Sequence, residues 1–350
     1  MSLSAAAPRA SPNVLERAAA RVTPGGLFVA FALMVFPLLA SDFITFQIGA
    51  YALLLGTVAL SLMLLAGYGG MVSLAQLTVA GVAGYSVAIF GANSTSVMGL
   101  GWPWWVAVPF AIFVGAVASA LIGAISVRTE GIYTIMITLA IAAAFALFAR
   151  QNYVLFNGFS GFAGVKPPVL WGVFWRDPLP FYYLSLSLAA LSFGAVSYGA
   201  RTPFGLALQA IRDNPRRMRA LGFNVTAHKI AAWFFAGIIA ASAGVMLVWF
   251  NGRIAPSAIG ALPAIDILII AVVGGLSRPI GPYLGALLFV ILKTFAVDVI
   301  GADRFNTLIG LVFLVVIFVS KDGILGLWQR LQLHLAADSL GAVSKETARR

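Results

Sequence analysis

Long apolar runs recur along almost the whole chain and are separated by short polar connections. Each run is close to the roughly 20 residues that an α-helix needs to cross the hydrocarbon core of a bilayer. The pattern predicts an all-α, polytopic membrane protein of about ten transmembrane helices, with eight to ten compatible with the runs. The predicted spans are 26–40, 46–66, 72–92, 103–126, 131–149, 181–199, 230–250, 264–277, 283–300 and 304–320.

The eighth predicted span is the least regular of the ten. It is short, and residues 274–279 at its end read GGLSRP. Glycine and proline at this point are also compatible with a broken or re-entrant helix near 274–282, whose freed backbone groups would line a cavity. The sequence leaves both interpretations open.

Composition supports the membrane prediction and excludes several function classes. The chain of 350 residues is 61% hydrophobic, with a mean hydropathy of +0.99, and it contains no cysteine. Disulfides and thiolate metal sites are therefore absent, and the two histidines, His228 and His334, stand too far apart in sequence for a metal-binding motif. No phosphate-binding loop occurs either, so we predict no enzyme activity, no metal and no cofactor on this chain.

The distribution of positive charge predicts the orientation. With the ten spans above, sixteen of the 22 Lys and Arg residues fall on one side and five on the other. Loops rich in Lys and Arg stay in the cytoplasm, so both termini are predicted to be cytoplasmic. The net charge of +11 then reflects topology, and no nucleic-acid partner is predicted.

The same assignment divides the chain into three parts. Residues 1–25 are predicted to form a cytoplasmic tail, 26–320 a single transmembrane domain, and 321–350 a second cytoplasmic tail. The longest cytoplasmic loop is 200–229 and the longest external loop is 150–180. Positive residues precede the first apolar run, but an Ala-x-Ala cleavage pattern is missing, so we predict an uncleaved first span.

The cytoplasmic loop holds the densest charge of the chain. Residues 201–224 read RTPFGLALQAIRDNPRRMRALGFN and contain five arginines. The apolar spacing predicts a short helix over Phe204–Arg212. A second turn begins at Pro215 after a cap at Asp213 or Asn214, and Gly222 ends it. From these residues alone, the loop is interpreted as a topology signal that also lies on anionic lipid.

Polar side chains and glycines within the spans are candidates for a solute pathway. Close helix packing is the alternative explanation for each glycine. Among ionisable groups, Lys293 is expected to pair across helices and Asp298 to reach the outer interface. The candidate pathway residues are Ser73, Gln76, Gly81, Tyr85, Tyr133, Thr138, Asp266, Gly274 and Gly275.

Three blocks of the chain resemble the permeases of branched-chain amino acid ABC importers, the LivH/LivM type. Residues 67–85 read GYGGMVSLAQLTVAGVAGY, residues 128–140 read RTEGIYTIMITLA, and the third block runs from 201 to 285. The resemblance covers most of residues 40–320. It implies a passive half of a pore in the bacterial inner membrane, without an ATP site of its own. The implied partners are a second, LivH-like permease, two cytoplasmic ATPases and a periplasmic binding protein.

The resemblance also assigns the basic loop to ATPase docking. The residues implied are Arg201, Phe204, Gly205, Ala210, Ile211, Arg212, Asp213, Asn214, Arg216, Arg217, Ala220, Leu221 and Gly222. Residues 215–219, PRRMR, depart from the acidic pattern usual in the family, and Met71 and Gln76 replace a glutamine and a histidine. The solute is accordingly either a branched-chain amino acid or a urea, amide or aromatic acid. A secondary carrier that works alone is the other function class.

Overall fold

The computed structural model describes residues 24–93, 99–129, 131–170 and 173–300, together with isolated positions between 307 and 326. This part of the chain is mainly helical. Nine of the ten predicted spans coincide with described helices, whereas the tenth, 304–320, lies outside the continuously described ranges. The main helices are α1 (Pro24–Leu39), α2 (Ile44–Tyr68), α3 (Gln76–Phe90), α4 (Trp104–Ser126), α5 (Ile132–Gln151), α6 (Pro178–Gly199), α7 (Pro203–Asp213), α8 (Pro215–Ala220), α9 (Val225–Asn251), α10 (Ala261–Gly274) and α11 (Gly281–Ile300).

Within the described ranges, five helices are both long and apolar enough to cross a bilayer, namely α2, α4, α5, α6 and α9. Three further apolar helices are shorter, α3, α10 and the first part of α11. At 1.5 Å per residue, the 14 residues of α10 extend only about 21 Å. The fold is therefore that of a multi-pass helical membrane protein, and the count of ten spans stays a prediction.

The prediction for the third span was wrong at its inner boundary. The apolar run suggested a helix from residue 72, but α3 begins at Gln76 and residues 69–75 are not helical. The prediction of an all-α chain also missed small β elements, three of them in the predicted external loop 150–180 and one after α9. Strand β1 (Phe162–Ala163) pairs antiparallel with β4 (Arg253–Ile254), and β2 (Val169–Leu170) pairs with β3 (Val173–Phe174).

The predicted break near 274–282 is a turn between two helices. Helix α10 ends at Gly274 and α11 begins at Gly281, with residues 275–280 between them. A β-carbon on Gly274 would overlap the carbonyl oxygen of Gly281, so the two helices are in backbone contact where they meet. The glycines at this point therefore allow close packing, which was the alternative explanation for them.

Among the five long apolar helices, α2 and α9 are the most enclosed, and α4, α5 and α6 expose an apolar face. Small residues let α4 approach α9 closely. Ser119 donates a hydrogen bond to the carbonyl oxygen of Trp233 at 2.7 Å, and a β-carbon on Gly115 would lie 2.6 Å from Cβ of Ala241. Close contact through small residues is the usual way membrane helices associate, because lipid gives little hydrophobic drive between them.

Candidate functional site

Two side-chain caps shape the basic loop into a pair of helices. The hydroxyl of Thr202 accepts a hydrogen bond from the amide of Gly205 at the start of α7, and Asn214 Oδ1 accepts one from the amide of Arg217 at 2.9 Å at the start of α8. Pro215 stands at the first position of α8, and Gly222, with φ of +88°, follows its end. The predicted helix, cap and glycine stop are confirmed, and local sequence signals define all three.

The helix pair has a buried side and an exposed side. Leu208 and Ile211 are buried against the chain's own helices, and Phe204 stacks on His228 with ring centroids 5.5 Å apart. Gly205 is also buried. It lies so close to the end of α6 that a β-carbon at this position would overlap the backbone there. The exposed residues are Arg201, Pro203, Leu206, Arg212, Asp213, Asn214, Arg216, Arg217, Arg219, Ala220, Leu221, Gly222, Phe223 and Asn224.

The exposed side combines basic charge with apolar surface. Leu221 is 67% exposed and Phe223 is 40% exposed beside the arginines of α8. We call the surface formed by Arg212 to Phe223 the docking surface, after the role that the resemblance implies for it. We call the end of the helix bundle that carries it the inner end, following the charge prediction, and the opposite end the outer end.

Arg212 joins the docking surface to the end of α2. Its guanidinium donates a hydrogen bond to the carbonyl oxygen of Gly67 and forms a salt bridge with Asp213 at 2.9 Å. A β-carbon on Gly70 would lie 2.7 Å from Cγ of Arg212, and Gly70 has φ of +66°. Residue 70 is therefore glycine for two reasons. Glycine adopts this backbone conformation without strain, and it leaves the space that the side chain of Arg212 fills.

The turn between α10 and α11 meets the same point. A β-carbon on Gly67 would overlap the carbonyl oxygen of Leu276, so the end of α2 and this turn are in backbone contact. Three segments distant in sequence therefore converge at Gly67: the helix pair through Arg212, the end of α2, and the turn after Gly275. We call this convergence the inner junction.

The non-helical residues 69–75 lead from the inner junction into the bundle. Most of these residues are buried, although Gly70 is exposed, and the amide of Leu74 donates a hydrogen bond to Thr138 Oγ1 at 3.1 Å. Ser73 Oγ accepts a bond from the amide of Ala75 at 3.1 Å. These side chains replace the helical hydrogen bonds that the segment lacks, as irregular backbone within a membrane protein requires.

Gln76 opens α3 in a fully buried position. Its Oε1 accepts a hydrogen bond from Ser61 Oγ on α2 at 3.1 Å. Within the described part of the chain, its amide nitrogen is buried without a hydrogen-bond partner. A buried donor without a protein partner calls for water or another bound group. Ser73, Gln76 and Thr138, which were predicted as pathway residues, therefore lie together.

The outer half of the bundle contains a cavity of about 300 Å³. Gly81 and Asp266, both predicted pathway residues, line it together with residues of α2, α9 and α11. The apolar part of its wall includes Leu55, Leu77 and Ile270. We call this space the outer cavity.

Three charged side chains line the outer cavity. Asp266 of α10 and Lys293 of α11 both line it, and Arg253 extends from β4. The ammonium of Lys293 lies 5.9 Å from the ring centroid of Tyr51, whose ring stacks on Phe250. Ionisable residues within membrane helices usually face a cavity and mark a functional site, so this is the best-supported polar site within the bundle.

The remaining pathway predictions fall at other places. Tyr85 is buried among aromatic rings, with the ring of Phe156 at 5.0 Å, and Tyr133 is 71% exposed on the surface of α5. Gly274 and Gly275 lie at the turn between α10 and α11, next to the inner junction. The predicted residues thus do not form one site but belong to the inner half, the outer cavity, an aromatic cluster and the protein surface.

Sequence reasoning missed several residues of the outer cavity. Lys293 was recognised as a charge within a span but was not placed in the pathway, and Arg253, Tyr51 and Ser257 were not proposed at all. Lys293 carried a detectable signal, since a lysine in an apolar run is rare. No local sequence pattern distinguishes Arg253, Tyr51 and Ser257, because only the fold brings them beside Asp266.

These features define a polytopic helical membrane protein with an exposed helix pair at one end and a charged cavity toward the other. The chain belongs to the family of branched-chain amino acid transport system permease components, whose pattern matches residues 44–319. The family comprises permease components of transport systems rather than enzymes.

Individual relatives agree with this assignment. The chain is similar to the high-affinity branched-chain amino acid transport system permease protein LivM of Salmonella typhimurium, with 26% identity over 264 residues. The match covers 69% of this chain and 59% of that protein, so the chain spans about three fifths of its length. LivM of Escherichia coli matches over the same shares of both chains.

A relative with a different solute also matches. The nucleoside ABC transporter permease protein NupC of Lactococcus lactis is 24% identical over 241 residues, which cover 65% of this chain and 74% of that protein. No solved structure matches the chain.

Proposed function

We propose that this chain is a membrane-spanning permease subunit of an ATP-driven importer in a bacterial inner membrane. It forms half of the translocation pathway for branched-chain amino acids. A second permease completes the pathway, two cytoplasmic ATPases supply the energy, and a periplasmic binding protein delivers the solute. The similarity to LivM supports this proposal for residues 44–319.

The observation that carries the proposal is the docking surface. Leu221 and Phe223 are large apolar side chains exposed at the inner end, and they follow directly after α8, which carries three exposed arginines. Apolar side chains within a polar rim are characteristic of protein interfaces. A groove with apolar walls and acidic edges on the ATPase would complement this surface, including the basic residues of 215–219.

The inner junction supplies a route for mechanical coupling. Motion of an ATPase moves α7 and α8 together, because Asn214 caps one helix where the other ends. Arg212 passes this motion to the carbonyl of Gly67 and so to residues 69–75. That segment continues into α3 and is bonded to Thr138 of α5, which gives ATP-driven closure a direct path into the bundle.

Co-purification tests the proposal. When the chain is expressed from its own gene cluster with an affinity tag, we expect a second permease and two ATPase chains to purify with it in detergent. A chain that purifies alone and still moves solute without ATP contradicts the proposal. That result would favour the second function class, a secondary carrier, for which the charged groups of the outer cavity would be the coupling site.

The branched-chain amino acid is the preferred solute because the apolar wall of the outer cavity suits such side chains. Urea, amides and aromatic acids remain the alternative solutes within the same function. Uptake of leucine, isoleucine and valine, measured beside these alternatives in cells that express the whole gene cluster, distinguishes them.

A further inference from the structure

The outer cavity presents both signs of charge above an apolar floor. Asp266 of α10, Lys293 of α11 and Arg253 of β4 line the same space. Below them the wall consists of buried apolar side chains, including Leu77 and Ile270. A ligand that fits this arrangement carries an ammonium and a carboxylate at one end and an apolar group at the other.

The opposite charges are held apart rather than paired. In the described part of the chain, Asp266 forms no salt bridge and no side-chain hydrogen bond. Lys293 instead lies above the ring of Tyr51, which the stacked ring of Phe250 keeps in place. A direct bond between Asp266 and Lys293 would close the site, whereas separated charges leave room for a ligand between them.

We propose that the outer cavity binds the solute directly as a zwitterionic α-amino acid. The carboxylate of Asp266 accepts hydrogen bonds from the ammonium of the ligand, and Lys293 and Arg253 donate to its carboxylate. The apolar side chain of the ligand lies against Leu77 and Ile270. This inference rests on the proposed function and adds to it a site at which the permease itself selects the solute.

The absence of cysteine from the chain permits a binding measurement without transport. Ser257 lines the outer cavity and is exposed, so Ser257→Cys places the single thiol of this chain at the site. The assembled transporter is kept in membrane vesicles without its soluble binding protein and treated with a water-soluble maleimide. We expect leucine to slow the labelling of Ser257→Cys and to leave the labelling of Ser160→Cys, on an exposed external turn, unchanged.

Analogues assign each charge to its partner. Leucinol lacks the carboxylate and 4-methylpentanoate lacks the ammonium, so each should need about tenfold or more of the concentration at which leucine protects, because a charge-assisted hydrogen bond is lost. In Lys293→Gln the preference for leucine over leucinol should fall, and it should disappear when Arg253→Gln is added. In Asp266→Asn the preference for leucine over 4-methylpentanoate should disappear.

Matched substitutions serve as controls. Lys166→Gln and Asp177→Asn make the same chemical changes at exposed external positions outside the outer cavity, and both preferences should persist in them. If they vanish in these controls as well, the assignment of the charges is wrong. Co-purification of the partner subunits with every variant shows that the fold is intact.

The remaining outcomes separate the two proposals. If the transporter imports leucine but leucine does not protect Ser257→Cys, the direct site is wrong and the proposed function stands. If phosphatidylethanolamine in place of phosphatidylcholine slows labelling and leucine has no effect, the cavity holds a lipid headgroup and the inference is overturned. If the transporter imports one of the alternative solutes and no amino acid, the site is wrong and the importer function stands. If it imports none of these solutes with ATP, both the function and the site are wrong.

Discussion

Replacing Arg212 with alanine is expected to abolish ATP-driven uptake while the chain still inserts and folds. The guanidinium is the only polar side chain among the described residues that bonds the helix pair to the end of α2. Alanine at this position removes one charge-assisted hydrogen bond, worth roughly 1.5–3 kcal/mol. That bond belongs to the contact by which we propose that the helix pair transmits ATP-driven closure to α2. We expect uptake to fall by about tenfold or more, measured as initial rates in whole cells.

Arg128→Ala is the matched control for this variant. Arg128 is also an exposed arginine that follows a long helix at the inner end, and it is remote in sequence from the helix pair. Its replacement should leave uptake near the wild-type rate. Equal losses in both variants would show that general positive charge at the inner end matters, and not the bond to Gly67.

The second large effect is expected for Gly67→Val. A β-carbon at this position would overlap the carbonyl oxygen of Leu276, so the side chain forces the turn between α10 and α11 away from α2. Overpacking of this kind destabilises a fold by about 1–3 kcal/mol. We expect a lower melting temperature in detergent. We also expect that ATP hydrolysis no longer drives uptake, because the end of α2 and the turn between α10 and α11 lose contact at the inner junction.

Gly194→Val controls for the substitution itself. Gly194 is an exposed residue of α6, and a β-carbon there meets no atom of the described chain within 4 Å. This variant should keep both its melting temperature and its coupling. Wild-type behaviour of Gly67→Val would contradict the close contact at the inner junction.

Features that depend on neighbouring residues could be predicted from the sequence. Apolar runs located the helices because burial in lipid requires little more than length and apolarity. The helix pair was also predictable, since Asn214 and Gly222 act within a few residues of their own positions. Its assignment to docking, in contrast, came from resemblance and not from these local signals.

Features that depend on distant contacts could not be predicted. Residues 72–75 lie in an apolar stretch for which a helix was predicted, and Thr138, far away in sequence, accepts the hydrogen bond of the Leu74 amide. The outer cavity likewise combines Tyr51, Asp266 and Lys293 from three helices. Sequence patterns identified single members of such sets, and the fold was needed to bring the others beside them.

The role of the glycine-rich segments also became clear only with the fold. The sequence left a broken, pathway-lining helix and close packing as equal interpretations. The contact of Gly67 with the turn after Gly275, and of Gly274 with Gly281, favours packing at the inner end. A separate set of residues, Asp266 and Lys293 above all, provides the polar surface within the bundle.

The central claim is that this chain is the membrane half of an ATP-driven importer, coupled through Arg212. Its most direct test is leucine uptake into proteoliposomes that contain the chain, its second permease and its ATPases, with the binding protein outside and ATP inside. We expect uptake that requires ATP and the binding protein and that is lost in Arg212→Ala. Uptake by the chain alone, driven by an ion gradient and unchanged in Arg212→Ala, would contradict it.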